Sequence, residues 1–233
     1  MPNILITGTS KGIGAAALAE LRRRGANVVG HSTHGGEGRI AADLAVADAA
    51  EGLWAAALDR LGGRIDVLIN NAGVFTDAGL TDGAHFRSGW ARTLQINLIA
   101  AADLCRLAIL HFQQHGGGRL VNLGSRAAAR GDGPENAHYA ASKAGITATT
   151  KTYARAHAHE NILAYCIAPG FVLTGMAEEY LATRGGAQVA ADIPLGRVAS
   201  VEEAANVIAY AALDAPPSMT GATLDLNGAS YVR

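Results

Sequence analysis

Tyr139-Ala-Ala-Ser-Lys143, with Ser125 a short loop upstream, combines residue types that can move a proton. A tyrosine with a pKa of about 10 is a poor acid or base at neutral pH. A lysine four residues later on a helix lies on the same face, one turn along. A cation held near the phenol favours the phenolate. Unit charges about 4 Å apart in an effective dielectric near 20 interact by about 4 kcal/mol, and about three pKa units are worth the same. The pair is therefore expected to be a tyrosine tuned for general acid–base work. Tyr-x-x-x-Lys alone is a common spacing, so its meaning depends on what the rest of the chain supplies.

A second group of residues sits near the N-terminus. Thr7-Gly8-Thr9-Ser10-Lys11-Gly12-Ile13-Gly14 follows an apolar run and opens a helical pattern. Glycines let a backbone approach a pyrophosphate, and free amides at a helix start receive its charge. The strand, turn and helix positions agree with a dinucleotide site. An acidic residue at the end of the next strand would bind a ribose 2′-hydroxyl and repel a 2′-phosphate. The chain has Gly30-His31-Ser32-Thr33-His34 there, with no carboxylate. Lys11 can supply a positive charge, and Ser32 or Thr33 can donate hydrogen bonds. NADP(H) is expected over NAD(H).

The elements that must position these groups alternate between strand and helix. Strands are expected at 3–7, 27–31, 66–70, 119–124, 162–168 and 223–226, with a short one at 39–41. Helices are expected at 13–24, 46–61, 86–112, 139–160 and 201–213. Several strands are apolar throughout, as suits a parallel sheet covered on both faces. The fold class is α/β: one doubly wound parallel sheet, Rossmann-like, of about seven strands, with helices on both faces. No linker or repeat divides the 233 residues, so one domain, 1–233, is expected.

Composition narrows the function classes. Hydrophobic residues make up 49% and charged residues 17%, which affords a substantial core. Net charge is −1 without a dense basic block, which argues against nucleic acid or an anionic membrane as partner. No continuous apolar run approaches the roughly 18 residues of a membrane span. Met1-Pro2-Asn3 runs directly into Ile4-Leu5-Ile6, so a secretory signal is not expected. Cys105 and Cys166 lie in apolar segments and are expected to be buried thiols. A cytoplasmic protein is expected. Lys11, Lys143 and Lys151 are the three lysines among 19 basic residues, so a lysine at 143 suggests that the compact ammonium matters there.

Taken together, the motifs resemble the short-chain dehydrogenase/reductase family over essentially the whole chain. Thr7-Gly8-x3-Gly12-Ile13-Gly14 resembles its glycine motif, and Asn70-Asn71-Ala72-Gly73 its Asn-Asn-Ala-Gly motif. Asn97, Ser125, Tyr139 and Lys143 match its catalytic tetrad in order and approximate spacing. Pro169-Gly170-Phe171-Val172-Leu173-Thr174 resembles the segment that contacts the nicotinamide, and Thr220–Gly228 resembles its tail. The Gly-His-Ser-Thr turn, Pro194-Leu195-Gly196-Arg197 and the short C-terminus resemble the bacterial 3-oxoacyl-(acyl-carrier-protein) reductase branch. Gly124 stands where a second serine is common, and the loop from Ser125 to Tyr139 seats about one extra residue.

The resemblance implies roles. Tyr139 would donate a proton to a carbonyl oxygen that receives hydride at carbon, and Ser125 would hydrogen-bond the same oxygen. Lys143 would lower the Tyr139 pKa and bind the nicotinamide ribose. Asn97 would hold a water linking Lys143 to solvent. Asp43 and Leu44 would sit beside the adenine, Asn71, Ala72 and Gly73 near the adenosine ribose, Pro169, Gly170 and Val172 near the nicotinamide, and Thr174 near its carboxamide or the pyrophosphate. Asp43 could equally cap a helix. Pairing of the helices carrying Asn97 and Tyr139 between subunits would give a homotetramer.

Other signals read as structure. His157 and His159 point to different faces at i, i+2 spacing, so no metal site is expected. Trp54 and Trp90 are expected to pack against the core rather than stack on a ligand. Gly185-Gly186 hints that 175–193 moves as a lid. The substrate is expected to be a carbonyl or alcohol, either an acyl-carrier thioester or a free small ketone, sugar or alcohol. Phe112-Gln-Gln-His-Gly-Gly-Gly118 lacks the basic residues that an acidic carrier protein would favour. A non-catalytic dinucleotide sensor on the same fold is the alternative from another class; an intact tetrad argues against it.

Overall fold

Ile4, Leu5 and Ile6 are fully buried, on a strand covered on both faces. The structure, a computed structural model, describes residues 1–174 and 191–233. Among the described residues, seven strands form one sheet. They are β1 (Asn3–Ile6), β2 (Asn27–Ser32), β3 (Arg39–Ala41), β4 (Val67–Asn70), β5 (Gly118–Leu123), β6 (Ile162–Pro169) and β7 (Thr223–Leu226). Their order is β3-β2-β1-β4-β5-β6-β7, and every pairing is parallel. The expected class of fold is the observed one.

The chain leaves β1 toward one edge and resumes at β4 toward the other. The carboxyl ends of β1 and β4 therefore flank the crevice where such sheets bind ligands. Thr7–Gly8 and Asn71–Gly73 lie at those ends.

The helices are α1 (Gly12–Arg23), α2 (Ala49–Arg60), α3 (Gly83–Leu94), α4 (Ala100–Gln114), α5 (Ala127–Arg130), α6 (Ala137–His157) and α7 (Val201–Ala209). On one face, Leu18 and Leu21 of α1 and Ile208 of α7 pack against Ile4, Ile6 and Tyr165. On the other, Leu53 and Trp54 of α2 and Leu104 and Phe112 of α4 pack against Leu5, Leu68 and Leu120. Ser200 and Glu203 form a reciprocal cap at the start of α7.

The expected helix at 86–112 is longer and not uniform. It begins at Gly83 because Asp82 accepts hydrogen bonds from the Ala84 and His85 amides, at 2.9 and 3.2 Å. A π-helical turn, Gln95–Ile99, separates α3 from α4. Gly83–Gln114 is long and apolar enough, by length and composition, to cross a membrane. Half of that apolar window is buried, with Leu104, Cys105, Ala108 and Phe112 against the sheet. The segment expected to be a loop at 126–138 contains the short helix α5. Trp54 is buried in the core, and half-buried Trp90 packs beside Phe86 and buried His138. His157 pairs with Glu160 at 2.7 Å. Gly185-Gly186 lies outside the described residues.

Candidate active site

At the end of β1 the turn is shaped by glycines and held by side chains from β4. Gly8 and Gly12 have φ of 71° and 57°, in the left-handed region that glycine adopts without strain. A Cβ on Gly8 would lie 2.7 Å from the Ala72 Cα, closer than real contacts allow. Thr7 Oγ1 accepts from the Asn71 and Ala72 amides at 3.0 and 2.9 Å. Asn71 Nδ2 donates to the Thr7 and Gly8 carbonyls at 2.9 Å each. The Asn71 carboxamide thus braces the turn.

The start of α1 fits a phosphate. Its N-cap, Lys11, makes no side-chain cap, and no acidic residue stands in the first turn. Uncapped N-terminal amides and the helix dipole together attract an anion. Exposed Ser10 and Lys11 flank them, Ile13 packs into the core edge, and Gly14 is pressed against the Gly8 carbonyl. A Cβ on Gly12 would meet Thr174 Cγ2 at 3.1 Å, so the glycine turn and the segment after β6 close on each other. This cradle suits the pyrophosphate of a dinucleotide.

Two side chains expected at the adenosine end have other partners. His31 Nδ1 accepts from the Gly8 amide at 3.2 Å, and Nε2 faces the Ala42 carbonyl at 2.9 Å. The ring is buried, and both nitrogens are spent on backbone. Burial pushes its pKa down, against the Ala42 carbonyl and the Asp43 charge. His31 supports the turn from below instead of offering a free nitrogen. Ser32 Oγ donates to the Gly35 carbonyl at 2.8 Å, while Thr33 is exposed. Exposed Asp43 closes a turn by accepting from the Ala45 amide at 3.0 Å. The Leu44 side chain is buried in the core, which leaves only its backbone for a base.

The proton-handling groups converge at the ends of β4, β5 and α6. Ser125, two residues beyond the β5 end, accepts from the Ala127 amide at 3.1 Å and stands near enough to Tyr139 to act on its phenol. Lys143, one turn after Tyr139 on α6, is buried; its Nζ donates to the Leu123 carbonyl at 2.7 Å. The same Nζ lies 5.9 Å from the centre of the Tyr139 ring. Asn97, in the π-helical turn, is also buried. Its Oδ1 accepts from the Val74 amide at 2.8 Å; its Nδ2 donates to the Val74 carbonyl at 3.0 Å and to Ser142 Oγ at 3.1 Å. A Cβ on Gly73 would stand 3.3 Å from Asn97 Oδ1 and 3.5 Å from Lys143 Nζ. Gly73 therefore lies over both groups, with Ala72 against the glycine turn.

The electrostatics differ from expectation at one point. Burial pushes the Tyr139 phenol above its ordinary value; neighbouring Ser125 opposes this, and the Asp132 charge adds to it. Burial also lowers Lys143 from 10.5 to about 8, against a smaller opposing effect of Cys166. Burial, not the Lys143 charge, sets the direction of the Tyr139 shift. The ammonium is bound to the β5 end, and the low-dielectric surroundings penalise both charged forms. A raised phenol keeps its proton at neutral pH, which is the form a general acid needs.

Several contributors were not singled out from sequence. Phe75 stacks edge-on against Tyr139, with ring centres 4.8 Å apart. Ser142 links Asn97 to the Tyr139 carbonyl, to which its Oγ donates at 2.7 Å. Arg39 lies along the β2–β3 connector, its Nε donating to the Gly35 carbonyl at 3.3 Å. Arg39 was detectable as the one arginine in the span from His31 to Ala41, whereas Phe75 and Ser142 carried no local signal.

Pro169 and Gly170 complete the wall. Gly170 donates to the Leu226 carbonyl at 2.8 Å, and buried Val172 is bridged to Ala199. A doubly wound sheet with a phosphate cradle at its switch point and Ser125, Tyr139 and Lys143 alongside defines a dinucleotide-dependent oxidoreductase. Comparison with known proteins agrees. Residues 8–228 match a short-chain dehydrogenase family model described as enoyl-(acyl-carrier-protein) reductase. The chain is 32% identical to the 3-oxoacyl-[acyl-carrier-protein] reductase of Escherichia coli (strain K12), over 98% of this chain and 96% of that one. It is 31% identical to the enzyme of the same description from Haemophilus influenzae, over 98% and 97%. A 3-ketoacyl-(acyl-carrier-protein) reductase from Brucella melitensis, solved with NADH, superposes with a TM-score of 0.85 at 24% identity, covering 98% of each chain. The chain belongs to the short-chain dehydrogenase/reductase family.

Proposed function

We propose that this protein is a cytoplasmic, NADP(H)-dependent reductase of 3-oxoacyl thioesters, acting as one domain and assembled as a homotetramer. The observation that carries the catalytic reading is the convergence of Ser125 and Tyr139 beside buried Lys143, whose Nζ lies 5.9 Å from the Tyr139 ring centre. The bound nicotinamide would supply hydride. Gly8, Gly12, Gly14 and the first amides of α1 would hold the pyrophosphate, with Ser10 and Lys11 at its edge. Asn71 would keep the turn open for it, and Ala72, Gly73, Pro169, Gly170, Val172 and Thr174 would line the nicotinamide half.

Tyr139 would give its proton to the carbonyl oxygen. Ser125, which accepts from the Ala127 amide, would donate its hydroxyl proton to steady that oxygen. Lys143, charged below about 8, would stabilise the phenolate left behind and bind ribose hydroxyls. Asn97 would hold Val74 and Ser142 so that Phe75 and Tyr139 keep their places.

The NADP(H) preference rests on the β2 end. It carries no carboxylate, and Lys11, Thr33 and Arg39 are the groups available to a 2′-phosphate. The tetramer rests on the exposed apolar residues Ile99 and Leu110 of the long helix. The thioester substrate rests on likeness to reductases of that description.

The test measures NADPH oxidation with acetoacetyl thioesters, together with Kd for NADPH and NADH. Tyr139→Phe is expected to cut turnover at least about 1,000-fold while NADPH Kd stays within about threefold. Substantial turnover in that variant would refute the proton donor, and tighter NADH binding would refute the cofactor preference.

A further inference from the structure

Immediately after Ser125 comes Arg126, where the family resemblance assigns no role. Its backbone amide donates to the Pro169 carbonyl at 2.9 Å, tying it to the segment that walls the nicotinamide side. Its guanidinium lies over the Phe171 ring, 4.7 Å from the centroid. A Cβ on Gly170 would lie 3.5 Å from its Cδ, so the side chain runs along the Pro169–Phe171 backbone. Nη1 is buried and has no hydrogen-bond partner among the described residues. None of the ion pairs among the described residues includes Arg126. Burial is the largest influence on its pKa and lowers it; Arg130 lowers it further through space, and Asp132 and Asp192 oppose this through space.

A buried guanidinium nitrogen without an acceptor is costly, and native proteins pair such groups. The contact with Phe171 holds the guanidinium over the ring, and the buried Nη1 without a partner is available to bind oxygen. We propose that Arg126 is a specificity-determining residue that binds an acyl oxygen of the substrate, carboxylate or thioester carbonyl, beside the carbonyl held by Ser125 and Tyr139. The inference rests on the catalytic reading above. It narrows the substrate to ketones carrying a second oxygen acceptor near the reacting carbon. A plain ketone leaves Nη1 unpaired and gains nothing from Arg126.

The test is calorimetric binding to the NADP+-loaded enzyme, which requires no turnover. Three probes are compared: acetoacetate, the N-acetylcysteamine thioester of acetoacetate, and 2-pentanone, which has no second oxygen. Arg126→Gln is expected to weaken the first two by about tenfold or more and to leave 2-pentanone within about twofold. Arg126→Lys, which keeps the charge and loses the planar fork, is expected to fall between. A larger loss for acetoacetate identifies the free acid, and a larger loss for the thioester identifies the acyl conjugate; either supports the assignment. Equal weakening of all three probes, or of none, overturns it, because a merely structural Arg126 would not distinguish them. Arg126-dependent binding without any hydride transfer would refute the reductase reading and leave the inference standing.

Discussion

Lys143 Nζ donates to the Leu123 carbonyl at 2.7 Å while lying 5.9 Å from the centre of the Tyr139 ring. The ammonium is thus anchored to the end of β5 and stands beside the phenol ring. Its displacement from 10.5 to about 8 means that the charged form is held at a cost of about 3 kcal/mol near neutral pH.

That cost makes Lys143 a residue kept at the expense of stability. Lys143→Met removes the buried charge and keeps most of the volume, but orphans the Leu123 carbonyl at about 1–2 kcal/mol. The variant is expected to melt no lower than the parent at pH 7 and to lose at least about 100-fold in turnover. Calorimetry and NADPH oxidation check this; a clear fall in Tm would mean that the charge is well compensated.

Asn97 is expected to behave differently. Asn97→Ala removes three hydrogen bonds at a buried position and frees the segment that carries Phe75. A loss of about 1–3 kcal/mol in stability is expected. A shift of about 1 Å at Tyr139 would cost about 100-fold in kcat. Urea denaturation and kcat at saturating NADPH test the pair of effects; loss of stability with unchanged kcat would remove Asn97 from the positioning of the site.

Acid should weaken the fold before the carboxylates titrate. Burial lowers the pKa of His31, His111 and His138, and nearby His115 and Arg64 lower His111 further. The Gly8 and Ile65 amides donate into ring nitrogens of His31 and His111, which protonation would forbid. The unfolded chain then binds more protons than the native one below its own histidine pKa of about 6.5. Stability is full above that value and falls as pH drops through it. The urea midpoint should therefore decrease between pH 7 and 5, with a smaller decrease in His111→Gln. Glu20 and Glu203, both near 2, titrate below this window. A midpoint constant from pH 7 to 5 would contradict the buried neutral rings.

Much of this architecture can be read from local pattern. Continuous apolar runs such as Val67–Asn70 announce strands buried on both sides, and Gly8, Gly12 and Gly14 announce a turn that nothing larger fits. What sequence left open depends on segments far apart in the chain. His31 looked free for a ligand because its partners, Gly8 and Ala42, come from other elements. The π-helical turn around Asn97 follows no periodicity rule; it was hidden inside a continuous helical pattern. Arg126 looked like loop because Phe171, its stacking partner, is 45 positions away (171 − 126). The pKa directions at Tyr139 and Lys143 came from burial, which spacing alone does not report.

One buried polar line has a consequence for the whole site. Asn70 and Asn122 are register partners on β4 and β5, and Asn70 Nδ2 donates to Asn122 Oδ1 at 2.9 Å. Asn122 Nδ2 in turn donates to Thr150 Oγ1 on α6 at 2.9 Å. A slip of either strand by one residue would turn an amide to the opposite face and strand polar groups in hydrocarbon. The line therefore works as a vernier: it admits one setting of β4 against β5 and one seating of α6 upon them. Tyr139 and Lys143 travel on that helix, so the alignment of the reacting groups is set by three residues buried beneath them in the core.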